Sequence, residues 1–168
     1  MRLAGRVALI TGSGRGIGKA SATVLAKAGA DIIINDLQAD RTQASANEIE
    51  SLGTKVLGIS ADVTKSEQVN DMVDKVMTSF GKIDILINNV GMTRGVPGTD
   101  ISEEDWRAVL DLDITAHFLC AKAVIPHMKD AGKGKIINMA SQIGKYRSSI
   151  VYGGTLILAT AKAAVLGF

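Results

Sequence analysis

Four glycines fall within seven residues, Gly12-Ser-Gly-Arg-Gly-Ile-Gly18, directly behind a short apolar segment, Arg6–Thr11. That segment is brief, rich in β-branched residues and closed by glycine, the pattern of a buried strand. The stretch from Gly16 to Gly29 reads as a helix, with Ile17, Ala20, Val24 and Leu25 as its expected inner face. A strand, a glycine turn and a helix in this order constrain the chain strongly. Glycine permits backbone angles that a side chain forbids and lets the backbone approach an anion closely. The free N–H groups and positive dipole end of the helix then face that anion.

Apolar runs and amphipathic segments keep alternating down the chain. Asp31–Asp36 reads as a second buried strand, Lys55–Ser60, Ile83–Asn88 and Lys135–Ala140 as the third, fourth and fifth strands, and Asp40–Leu52 as a polar-faced helix. Thr64 and Glu67 form a capping-box pair that should open a helix carrying Val69, Val73, Val76, Met77 and Phe80 and stopping at Gly81. After a loop, residues 92–100, Ser102 and Asp105 should cap one long helix bearing Trp106, Leu110, Ile114 and Phe118. Ala159–Phe168 opens a last helix. Strand–helix alternation of this kind predicts parallel βαβ units with right-handed crossovers. The expectation is a single α/β domain over residues 1–168, a Rossmann-type doubly wound parallel sheet of strand order 3-2-1-4-5.

Asp36 ends the second strand eighteen residues past Gly18, near the ~20-residue spacing of an acid that binds an adenosine ribose. A carboxylate there accepts from the ribose hydroxyls and repels a 2′-phosphate, which favours NAD over NADP. Arg15 in the loop pulls toward a phosphate and keeps NADP in play. The loop lacks the Gly-Lys-Ser/Thr ending of a P-loop, which disfavours nucleotide hydrolysis.

Net charge is +2 with Lys and Arg scattered, so nothing points to nucleic acid. The stretch Thr155–Phe168 is too short to span a bilayer and carries Lys162, so no membrane association is expected. A single cysteine, Cys120, fits a reducing, cytoplasmic setting and reads as buried and inert. His117 and His127 lack partners at metal spacing and read as surface or packing residues, so no metal is expected; the methionines read as core filler.

The residues resemble the short-chain dehydrogenase/reductase family over essentially the whole chain. The cofactor loop TGxxxGxG matches Thr11–Gly18, an acidic adenine-side position matches Asp62 followed by Val63, and the NNAG segment matches Asn88-Asn89-Val90-Gly91, with valine for alanine. The wording IIIND and ATAKAAVLGF looks most like the 3-oxoacyl, sugar-acid and polyol branches. The resemblance implies an oxidoreductase that moves hydride between NAD, or NADP, and a small-molecule secondary alcohol/ketone substrate. It implies cofactor contacts from Gly12, Ser13, Arg15, Gly16, Ile17, Gly18, Asp36, Leu37, Asp62, Val63, Asn89, Val90, Gly91 and Lys162. It also implies a homo-oligomer, dimer or tetramer.

The family chemistry uses a serine, a tyrosine, a lysine and an asparagine. Ser141 and Lys162 stand at the first and third of these positions. The position four residues before Lys162, where the tyrosine belongs, is Leu158; the nearest phenol, Tyr152, lies ten residues before Lys162, ~15 Å along a continuous helix. Aligning from Trp106 puts Asp113 at the asparagine position, so the resemblance makes Asp113 a catalytic candidate beside Ser141 and Lys162, as an ion-pair partner of Lys162 or a group that itself moves protons; the alternative is a water-facing helix carboxylate. The chain stops inside the lysine helix, so the family's later strands and substrate-covering segment are expected to be missing. An impaired or silent dinucleotide-binding chain is therefore the alternative to an active enzyme. A flavodoxin-like domain shares the sheet but not Asn88–Gly91.

Overall fold

The computed structural model describes residues 1–92, 100–145 and 155–168. Five strands, β1 (Val7–Ile10), β2 (Asp31–Asp36), β3 (Val56–Ser60), β4 (Ile85–Asn88) and β5 (Lys135–Asn138), pair in parallel in the order β3-β2-β1-β4-β5. The helices are α1 (Gly16–Lys27), α2 (Ala39–Glu50), α3 (Ser66–Phe80), α4 (Glu103–Leu110), α5 (Ala116–Asp130) and α6 (Thr155–Gly167).

Side chains of successive strand residues point to opposite faces, and the central strands β1, β2 and β4 are buried on both, whereas β5 at the edge leaves Lys135 and Ile137 exposed. Val7, Leu9, Ile33 and Leu86 face Val69, Met72, Val73 and Val76 of α3 and Ala116, Cys120 and Val124 of α5. Ala8, Ile10, Ile32, Ile34 and Ile87 face Ala22 and Ala26 of α1 and Ala46 and Ile49 of α2. The doubly wound sheet follows from that two-sided apolar alternation. Ile10 sits beside both Ile34 and Ile87, so the segments leaving β1, β2 and β4 emerge at one edge of the sheet.

Three local expectations are corrected. The buried face of α1 is Gly18, Ala22 and Ala26, whereas Ile17 and Val24 are 67% and 66% exposed and Ala20 is exposed too. Small residues bring the helix close to the sheet, and of the expected face only Leu25 packs, half-buried, against the core. The Thr64–Glu67 capping box does not form: α3 begins at Ser66, Lys65 is its N-cap, and the Thr64 hydroxyl donates to Asp62 Oδ1 at 2.7 Å. A local turn around Asp62 competes successfully for the hydroxyl. The long helix is broken by a π-helical turn, Asp111–Thr115, between α4 and α5. That extra residue rotates the following surface, burying Asp113, Ala116 and His117 and leaving Phe118 46% exposed. Ser102 caps α4 as expected, its Oγ accepting from the Asp105 N–H.

At the opposite edge of the sheet, Asp84 is buried against Arg6 Nη1 (2.6 Å), the Val7 N–H (3.0 Å) and Lys82 Nζ (3.3 Å). Burial pushes its carboxyl up, but these donors and the Lys82 charge together hold it below the ordinary carboxylate range. A depressed folded-state pKa gives stability that is complete above the unfolded value of ~3.9 and is lost as pH falls through the folded value. The urea midpoint of the wild type should therefore fall more steeply with acid than that of Asp84→Asn, and parallel slopes would refute this. Burial pushes the lone Cys120 thiol up to about 12, so it should resist alkylation until the chain unfolds.

Candidate functional site

A groove of about 420 Å³ runs along the emergent edge of the sheet. Its walls include Gly12, Arg15, Gly16, Ile17, Asp36, Leu37, Asp62, Val63, Asn89, Val90 and Gly91. These come from four separate segments that the strand register brings together. Sequence reasoning missed Arg41, Met92 and Leu112, which also line it. Arg41 follows Asp36 by five residues in the first turns of α2, a spacing that could have marked it.

The glycine loop is built for an anion. Gly16 has φ +57° with open space where a side chain would stand. No side chain caps α1, and its first turn holds no acid, whereas α4 has Ser102 and three acids there. The first N–H groups of α1 are thus left for a ligand. Gly18 is needed for contact: a Cβ there would lie 2.5 Å from both Gly12 O and Asn89 Nδ2. Ser13 faces away from the groove. It is fully buried, its hydroxyl donating to Ile10 O at 2.7 Å and accepting from the Asn35 N–H at 3.1 Å, which ties the loop to β2.

Asp36 is 9% exposed, its Oδ1 accepting from the Gln38 N–H at 3.1 Å. A Cβ on Gly14 would sit 2.6 Å from Asp36 Oδ2, so that glycine makes room for the carboxylate. Asp62 Oδ1 accepts from Thr64 N and Oγ1, leaving this carboxylate partly committed to its own turn. Leu37 is 64% exposed and, with Ile17, gives the groove two apolar walls facing water.

The Asn88–Gly91 turn is fastened on both sides. Asn89 Nδ2 donates to Thr11 O (2.9 Å) and Gly12 O (3.1 Å), and Thr11 Oγ1 accepts from the N–H of Asn89 (3.0 Å) and of Val90 (3.2 Å). The Asn89 side chain therefore braces the glycine loop as well as lining the groove. On the far side Asn88 Nδ2 donates to His117 O, Val90 O meets His117 Nε2, and Asp113 Oδ2 accepts from the Met92 N–H at 2.8 Å.

Lys162 and Asp113 lie just behind Gly91 and outside the groove's wall residues. Asp113 is fully buried, which settles the water-facing alternative against it. Its Oδ1 stands 3.0 Å from Lys162 Nζ, an ion pair outside hydrogen-bonding direction, and Nζ donates to Met139 O at 2.9 Å. A Cβ on Gly91 would fall 2.7 Å from Asp113 Oδ1 and 3.2 Å from Nζ. Ser141 is exposed and accepts from the Ile143 N–H at the start of a single turn, Gln142–Gly144, which packs directly on the backbone of Lys162 and Ala163. Leu158 is half-buried on α6. Tyr152 lies outside the described residues. Among the described residues, the buried polar side-chain atoms without a hydrogen-bond partner belong to Asn88, Asp113 and His117, all around this turn. Burial, aided by the Lys162 charge, holds the His117 imidazole below its ordinary pKa, although the Val90 carbonyl and Asp113 act the other way.

A family model described as short chain dehydrogenase matches residues 6–168. The chain belongs to that family. The chain is 39% identical over 167 residues to a (2S)-[(R)-hydroxy(phenyl)methyl]succinyl-CoA dehydrogenase subunit of Thauera aromatica, covering 99% of this chain and 65% of that one. It is 36% identical to the 3-oxoacyl-[acyl-carrier-protein] reductase of Thermotoga maritima, covering 99% and 66%. Its fold superposes with a TM-score of 0.94 on a NAD⁺-bound xylitol dehydrogenase, at 32% identity, covering 99% of this chain and 63% of the other. The chain thus spans a little under two thirds of the length of these relatives. Among the described residues no helix is long and apolar enough to cross a membrane.

Proposed function

We propose that this short chain dehydrogenase holds NAD(H) in the groove and serves hydride transfer between its nicotinamide and a secondary alcohol/ketone pair. The observation that carries the reading is the uncapped, acid-free start of α1 facing the groove, with Asp36 at its far wall. In it, Gly12, Gly16 and the first N–H groups of α1 bind the pyrophosphate, with Gly18 allowing the loop to close. Asp36 accepts from the adenosine ribose. Ile17, Leu37 and Val63 supply apolar contact for the adenine beside Asp62. The nicotinamide supplies or takes the hydride when bound. Gly91 and Val90 border its end of the groove, Lys162 reaches the ribose from behind Gly91, and Ser141 orients the substrate oxygen. Arg15 and Arg41 leave NADP as a second cofactor, and the protein is read as cytoplasmic and homo-oligomeric.

The reading is tested by titrating the chain with NADH and NADPH in calorimetry, with NADH the expected tighter ligand. The absence of heat with both nucleotides would end it. Asp36→Asn should weaken NADH about tenfold or more, the loss of charge-assisted bonds worth roughly 1.5–3 kcal/mol, and narrow the gap to NADPH. Unchanged preference would take Asp36 out of the ribose site.

A second reading, binding without turnover, is favoured by one observation: Leu158, the residue one turn before Lys162, carries no proton to transfer. Tight NADH binding with no oxidation of any secondary alcohol in a panel would select it.

A further inference from the structure

We propose that His117 is a positioning residue of the cofactor groove: it holds the Asn88–Gly91 turn in place through the Nε2–H tautomer of a neutral imidazole. The proposal rests on the groove being the dinucleotide site, and goes beyond it by assigning a residue outside the groove wall.

His117 is the second residue of α5, fully buried, four residues after Asp113. It grips the turn at two points. Its backbone carbonyl accepts from Asn88 Nδ2 at 3.3 Å, and its ring Nε2 lies 3.2 Å from Val90 O. A carbonyl can only accept, so Nε2 carries the proton. Nδ1 has no partner among the described residues. A lone pair left empty there costs less than an unbonded N–H at Nδ1, because with Nε2 already protonated that N–H would make the buried ring a cation, which burial and then the Lys162 charge disfavour against the pull of Asp113. The residue therefore has one serviceable state, neutral with Nε2–H, and that state aims its donor at the groove wall.

The neighbouring contacts show why the position matters. Asn89, between the two gripped residues, braces the glycine loop through Thr11 and Gly12. Met92, just past the turn, is held by Asp113. Residues 88, 90 and 92 thus face α5 and the π turn, while residue 89 faces the glycine loop. Freed from His117, the half-buried Val90 carbonyl would lose its donor, and the Val90–Gly91 peptide would be free to rotate at the groove wall.

Imidazole ¹⁵N spectra of the labelled chain at pH 7 are expected to show His117 neutral and protonated at Nε2. A protonated Nδ1 would overturn the proposal. His117→Gln places an amide N–H near the Nε2 position and should hold NADH within about threefold of wild type. His117→Asn, whose amide stops at the Nδ1 position, should weaken NADH about tenfold, the scale of one lost hydrogen bond with its unpaired acceptor. Equal affinity in His117→Asn and wild type would also overturn it. If the wild type itself binds no NADH, the groove reading fails separately, and the Gly91 amide signal still decides this one. A shift of that signal in His117→Asn but not in His117→Gln upholds the positioning role, and an unmoved signal in both removes it.

Discussion

Leu158→Tyr is expected to raise the rate of NAD-linked oxidation of a secondary alcohol by about 10²–10⁴, the usual contribution of a positioned acid or base. Residue 158 lies one turn before Lys162 on α6 and shares its face of the helix. Ile157 and Ala161 on the adjacent row are fully buried, whereas Leu158 is only half-buried, so a larger ring there needs little repacking. A phenol in that place would stand near the Lys162 ammonium, which favours its ionised form. Leu158→Phe supplies the ring without the hydroxyl and is the control. NADH production with a panel of alcohols should rise in the tyrosine variant alone. Equal slow rates in both, with NADH binding intact, would mean that residue 158 is not where the proton is exchanged.

The centre of the sheet was legible because its first two strands carry their burial in their own wording. Arg6–Thr11 and Asp31–Asp36 are short, apolar and bounded by turn residues, and no competing pattern covers them. The groove was legible for a related reason, since a glycine loop and a strand-end acid are local features that the parallel register then brings together. What failed was facing. Ile17, Val24 and Phe118 are apolar, yet tight packing of α1 and the π turn before α5 put them outside. Apolar periodicity records a preference for burial, and backbone approach decides which row receives it. His117 was passed over because no metal partner stands near it in sequence. Its partner is a carbonyl twenty-seven residues away, visible only after β4 and α5 pack together. The state of Asp113 depended in the same way on contacts from α6.

Removing either partner of the Asp113–Lys162 pair should destabilise the fold by about 3–5 kcal/mol, because each leaves the other charge buried alone. The side chains are 0% and 10% exposed, so water cannot take the place of the lost partner. At roughly 2–4 °C per kcal/mol for a chain of this size, Asp113→Asn and Lys162→Met should each lower Tm by about 10 °C. The double variant should recover to within about 1 kcal/mol of wild type. Asparagine keeps a carbonyl for the Met92 N–H, and methionine fills the lysine's apolar path without a charge. If the two losses simply add, the pair is not an energetic unit and the buried carboxylate is held by Met92 alone. Strong coupling has a functional consequence as well. An ammonium has three N–H donors; one is on Met139 O, and Asp113 balances the charge from outside hydrogen-bonding direction. The ion pair therefore leaves a donor for the nicotinamide ribose in the cofactor pose proposed above, and on that proposal the double variant, though stable, should bind NADH more weakly than wild type.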